Sequence, residues 1–252
     1  MKLIFNKTLL ISKFLNPINK LTDKCTISIK KDGVDCVSYS TGNNKQTIIF
    51  YCNLNLSNEI EDEIKLNIGS VKRLISLINC INNDSVELNV EKNNISYSSK
   101  EIQFKYHLLE DLTMEKSIIS VDKINGISYD FEFMLSSSKL DEILKASSTI
   151  GDLMPSNNSN KIYFYTKDTI LYGELNDKTL VNLDNVTLLI SDKYIGNELK
   201  ENLPLNVEIF KIMHSLKFDN INIKINTEKG IVCLSVQDKD FQLKYIVTAQ
   251  LK

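Results

Sequence analysis

The side chains whose types and spacing suit chemistry are cations on segments of helical period. Lys13 and Lys20 stand seven residues apart in 8–21 and so share a face, with Lys7 at the start. In 70–81, Lys72 lies on the polar face with Ser76 and Asn79, and Arg73 stands beside it. In 136–150 the cations are Lys139 and Lys145, accompanied by Asp141 and Glu142. In 208–217 they are Lys211 and Lys217, with His214 on the same polar face and Glu208 at the start. Ammonium and guanidinium groups displayed this way attract phosphate without reading base sequence. The whole chain carries a net charge of -2 from 30 basic and 32 acidic residues, so the surplus of cations on these segments leaves the remainder net acidic. A tight nucleic-acid binder of the usual kind is basic overall. If the helices pack on one side of the sheets, one surface is basic and the other acidic, and the acidic part keeps the rest of the molecule off DNA.

Other chemistry is poorly represented. No GxGxxG, P-loop, HExxH or GxSxG pattern occurs. The only histidines are His107, in an apolar strand pattern, and His214. Asp141-Glu142 fits helix-start charge better than an acid pair. The cysteines, Cys25, Cys36, Cys52, Cys80 and Cys233, are odd in number and widely spaced, with no CxxC pair, which reads as small buried hydrophobes in a reducing intracellular compartment. No catalytic residue, metal site or cofactor is expected. Apolar content of 42% and charged content of 25% suit a globular protein, and no apolar run reaches the length of a membrane span. The opening MKLIFNKTLLISKF lacks an uninterrupted apolar centre and reads as folded protein rather than a signal peptide.

The elements that must position the cations form a rhythm. A strand at 3–5, a helix over 8–21 and strands at 25–30, 34–40 and 46–54 make a first copy. Lys31-Asp32-Gly33 signals a hairpin, and Gly42-Asn43-Asn44 a turn. Pro17 is expected to kink or break the helix at Asn16. After the acidic loop 59–63 come a strand at 64–68, a helix capped by Ser70, and strands at 86–90, 95–98 and 102–108. Residues 109–128 break the rhythm as a connector. The third copy has a strand at 130–135, a helix begun by Ser136-Ser137-Ser138 and stopped by Gly151, a polar loop at 155–160, and strands at 161–166, 169–175 and 180–190. The fourth has an apolar lead-in at 203–207, a helix at 208–217 and strands at 221–226, 231–237 and 241–249. The expectation is an α+β protein of two domains, each built of two strand–helix–three-strand units that are each compact, with domains at 1–110 and 129–252 and a connector at 111–128.

Four such units in two pairs, with basic helices and a connector, resemble the DNA sliding clamps of the proliferating cell nuclear antigen and tailed-phage type. The local pieces that carry the likeness are LSSSKLDEILKASSTIGD at 135–152 and FQLKYIVTA at 241–249. The resemblance spans the chain and rests on size and repeat count more than on a signature. It implies a DNA-clamp fold with sheets outside and helices lining a ring, closed as a homotrimer around double-stranded DNA, non-enzymatic, tethering a DNA polymerase after a clamp loader has placed it. It implies hole-lining roles for Lys13, Lys20, Lys72, Arg73, Lys139, Lys145, Lys211 and His214. It implies a partner-peptide pocket involving Val34, Val37, Leu112, Ile118, Ile119, Ile246 and Thr248. It implies subunit contacts between the edge strand carrying Ile102, Phe104 and Tyr106 and one carrying Ile170 and Tyr172. Asp141, Glu142 and Glu208 would dilute the basic lining. The competing readings are a clamp-like scaffold, transcription or checkpoint subunit in a hetero-ring, and an enzyme with a site assembled between domains. The first is set apart by failure to self-associate, the second by a deep polar pocket.

Overall fold

The computed structural model describes residues 1–31, 33–41, 47–58, 60, 63–111, 119–153, 161–175, 185–199 and 202–249. The turn expected at Gly42–Asn44 and the polar loop at 155–160 lie outside them. The first copy holds β1 (Lys2–Asn6), α1 (Lys7–Leu9), a π-helical segment (Leu10–Leu15), α2 (Asn16–Asn19), β2 (Cys25–Lys30), β3 (Gly33–Thr41) and β4 (Thr47–Asn55). The second holds β5 (Ile64–Ile68), α3 (Val71–Asn79), β6 (Ser85–Glu91), β7 (Asn94–Ser98) and β8 (Gln103–His107). A short helix, α4 (Val121–Asn125), follows, capped by Ser120 and seated on the buried Ile124. The third copy holds β9 (Phe131–Ser136), α5 (Ser137–Leu153), β10 (Lys161–Lys167), β11 (Ile170–Leu175) and β12 (Val186–Ser191). The two-residue strand β13 (Ile195–Gly196) precedes the fourth copy: β14 (Leu203–Asn206), α6 (Glu208–Ser215), β15 (Asn220–Asn226), β16 (Ile231–Gln237) and β17 (Phe241–Thr248).

The chain divides into two compact units. The first comprises Met1–Thr41, Ile48–Ile127 and Gln237–Lys244, and the second Gly42–Thr47, Ser128–Val236 and Tyr245–Lys252. Residues 42–47 and 237–244 are thus grouped otherwise than the sequence boundaries assign them, and the connector is grouped with the first unit.

Strand order corrects the picture of each copy as a compact unit. In the first unit one sheet runs β1-β6-β7-β8, and β5 joins β2 and β3, with β4 beyond. β1 therefore pairs with β6 of the second copy, Phe5 opposite Val86, and β5 pairs with β2 of the first, Ile27 opposite Leu66. The second unit repeats the exchange: β14 pairs with β10, and β9 with β15. One amphipathic helix and its own strands cannot bury each other's apolar faces alone. Exchanging the leading strand stitches two copies around a common core. In the first unit, Leu3, Phe5, Leu88 and Val90 of one sheet and Ile27, Ile29, Val34 and Leu66 of the other line one apolar cavity with Phe14 and Ile78. In the second, Phe164 of β10 lies 5.7 Å from Phe133 of β9 and 6.1 Å from Phe210 of α6, ring centre to ring centre.

Two local expectations also give way. The backbone stays helical at Leu15, Asn16 and Lys20, so the first helix does not break. Pro17 lacks the N–H that an α-helix would bond to the carbonyl four residues back. The chain widens instead: the N–H of Asn16 bonds to the carbonyl of Ile11, five residues back, as in a π-helix. Gly151 does not end α5, which runs to Leu153. The hairpin at Lys31–Gly33 forms as expected, with Lys30 opposite Gly33. Four cysteines are buried and Cys80 is exposed, the exception to the expected pattern. A hydrogen bond with Cys25 and burial hold the Cys36 thiol well above its usual pKa, and burial does the same to Cys52. These thiols behave as packing groups.

Candidate nucleic-acid interface

In the first unit the stretch 7–20 and α3 lie side by side and antiparallel. At one end, the Lys7 ammonium donates to the carbonyls of Ile81 and Asn79, just past or at the end of α3, where the helix leaves carbonyls unpaired and a cation is favoured. At the other end, Asp23 follows α2 closely and meets the start of α3. Its carboxylate accepts from the Lys72 N–H at 2.9 Å and the Ser70 hydroxyl at 3.2 Å, and its carbonyl accepts from the Val71 N–H at 2.8 Å. Ser70 caps α3 as its sequence predicts, its hydroxyl accepting from the Arg73 N–H. Lys20, Lys24, Lys72 and Arg73 are exposed around this junction. Lys24 escaped the sequence reading because it lies beyond the helical period, and only the fold brings it here. Lys13 is half-buried, its ammonium 5.8 Å from the centre of the Phe241 ring.

The helices of the second unit carry their cations differently. Ser136 caps α5 by accepting from the Lys139 N–H, and Asn206 accepts from the Glu208 N–H at the start of α6. Lys139 pairs with Glu142 one turn on, and Lys211 pairs with Glu208 at 3.2 Å. The imidazole of His214, in the last turn of α6, lies 2.8 Å from the carboxylate of Asp141, near the start of α5. Of the four residues foreseen here as phosphate contacts, Lys145 is exposed and has no carboxylate partner among the described residues.

The other foreseen sites hold up less well. Val34 is 2% exposed and faces the core, so it cannot meet a partner peptide. Ile246 is buried as well, Val37 and Ile119 are half-buried, and Thr248 is exposed. Leu112 and Ile118 lie outside the described residues. Tyr106 is 4% exposed; it turns inward, accepts from the Ser70 N–H at 2.7 Å and donates to the Ser70 carbonyl at 3.1 Å. It fixes the start of α3 and is not available to another subunit. β8 does lie at a sheet edge, with Ile102 just before it and Phe104 on it, both half-buried. Ile170 and Tyr172 are on β11, which is flanked by β10 and β12. An interior strand has spent its backbone groups on both neighbours, so these two residues cannot form an edge contact; the edge strands of that sheet are β12 and β14. Among the described residues no group of three His, Cys, Asp or Glu is placed to hold a metal ion, and no helix is long and apolar enough to cross a membrane.

Comparison of the whole fold decides the architecture. The structure of the C-terminal region of FEN-1 bound to A. fulgidus PCNA superposes with a TM-score of 0.77 at 14% identity, over 100% of this chain and 98% of that one. This is the sliding-clamp fold. PCNA from Thermococcus kodakaraensis gives 0.71 at 14% identity, over 99% of both chains. The DNA polymerase III beta chain from Streptococcus pneumoniae gives 0.76 at 15% identity over 100% of this chain, which spans 65% of that one. No protein-family model and no curated protein matches by sequence. The clamp fold therefore survives here in strand exchange and element order, with little shared sequence.

Proposed function

We propose that the chain is a DNA sliding clamp, a non-enzymatic ring that encircles double-stranded DNA and tethers a polymerase. The observation that carries this reading is the clamp fold, matched end to end by PCNA, together with exposed cations on the helices. Loose phosphate contacts permit sliding where base readout would arrest it.

Three two-domain chains would close such a ring. Edge strands left unpaired invite association, and β8 and β12 are among the strands at sheet edges. We place the subunit junction on these two, β8 of one chain against β12 of the next, with Leu189, 47% exposed, near its surface. A polymerase and a loader would bind through short apolar segments beside the connector, near Val37 and Ile119.

Reversing Lys13, Lys20, Lys72 and Lys145 to Glu is expected to shorten polymerase extension on primed circular DNA while leaving assembly, read by sedimentation, intact. Unchanged extension lengths with a polymerase that the wild-type chain stimulates would exclude the helix faces as the DNA-facing surface.

A further inference from the structure

The two helix pairs differ in charge economy. Around the junction of α2 and α3 stand Lys20, Lys24, Lys72 and Arg73, all exposed and with no carboxylate paired to their side chains among the described residues. The carboxylate at its centre, Asp23, is turned to the Lys72 N–H and the Ser70 hydroxyl, so it serves the start of α3 rather than the lysine side chains. In the second unit Asp141, near the start of α5, holds His214 at the end of α6, Glu142 holds Lys139 on α5, and Glu208 holds Lys211 at the start of α6. A cation already holding a carboxylate has its field largely cancelled beyond a Debye length, about 8 Å at physiological salt. It releases little counterion when phosphate approaches.

We infer that duplex phosphates are held mainly by Lys20, Lys24, Lys72 and Arg73 of the first unit, and that the helix pair of the second unit, where Asp141, Glu142 and Glu208 compensate His214, Lys139 and Lys211 and leave Lys145 uncompensated among the described residues, contributes less. The inference rests on the clamp reading and adds a division of labour to it. Phosphate contact on one unit in each chain leaves fewer attachment points than the helix count suggests, which favours free sliding.

The test measures binding of the full-length wild-type chain and its variants to a short fluorescent duplex across a range of salt. For Lys72→Ala with Arg73→Ala, affinity falls and the slope of log K against log salt decreases by about 2. For Lys139→Ala with Lys211→Ala, both change little. Asp141→Asn with Glu142→Gln raises affinity and steepens the slope, because it removes two negative charges from the helix pair and frees the Lys139 ammonium. Thermal melting of each variant separates lost folding from lost contact. An equal or larger loss from the second-unit pair, or no gain from the Asp141/Glu142 variant, overturns the division of labour. A wild-type chain with no affinity for this duplex even at low salt overturns the phosphate assignment, whereas failure to stay on closed circular DNA overturns the clamp reading itself.

Discussion

The thiol of Cys52, on β4, donates to the backbone carbonyl of Lys13 at 3.3 Å. That carbonyl is the one an α-helix would join to the N–H of residue 17, and residue 17 is proline. The π-helical turn and the thiol are two responses to one missing donor. Cys52→Ala removes the donor and a buried sulfur together. The expected loss is about 1–3 kcal/mol, read from urea unfolding. Full stability in the alanine variant would mean that the π turn alone satisfies this stretch.

Tyr106 makes a second structural commitment that looks like a functional one in sequence. Its hydroxyl both accepts from and donates to the backbone of Ser70. Tyr106→Phe leaves the ring in place and strands the half-buried Ser70 N–H, with an expected cost of about 1–3 kcal/mol. Subunit association should be unchanged, since the ring faces inward. Weakened assembly with unaltered monomer stability would return Tyr106 to the interface.

Asp130 provides a pH signature. Partial burial acts to raise its pKa, but hydrogen bonds from the Thr227 hydroxyl and N–H outweigh this and hold it below the usual 3.8. The folded value lies below the unfolded one, so the stabilisation is present above about pH 3.8 and is lost as the pH falls through the folded value. Asp130→Asn should melt below the wild type at neutral pH, and the difference should close under acid conditions. A difference that stays constant from pH 7 to pH 2 would assign it to shape rather than charge.

Much of the architecture is legible in the residues because its signals are local. The apolar period of Val71, Leu74 and Ile78 and the cap at Ser70 specify α3, and Lys31-Asp32-Gly33 specifies the first hairpin. The exchange of leading strands is not legible, since alternation in Leu3–Phe5 shows which face is buried but not that Val86 is the strand's partner. The same blindness placed Ile170 and Tyr172 at an edge: period-2 patterning is alike for β11 and β12, and only the pairing order tells an interior strand from an exposed one. A sum of charge over segments shows that Asp141, Glu142 and Glu208 dilute the basic lining, but not which cation each of them holds. Lys24 was missed for the opposite reason, because proximity to Lys72 is a property of the fold.

The central claim is topological, and loading onto closed circular DNA tests it most directly. The chain is loaded onto a nicked plasmid with its polymerase's loader, washed at high salt, and challenged by a restriction cut at one site. The account predicts that the protein stays with the circle through the wash and is released when the plasmid becomes linear, because it is held by encirclement rather than by ionic contacts that salt would screen. Equal loss from circular and linear DNA at high salt, or retention on linear DNA with free ends, would contradict it.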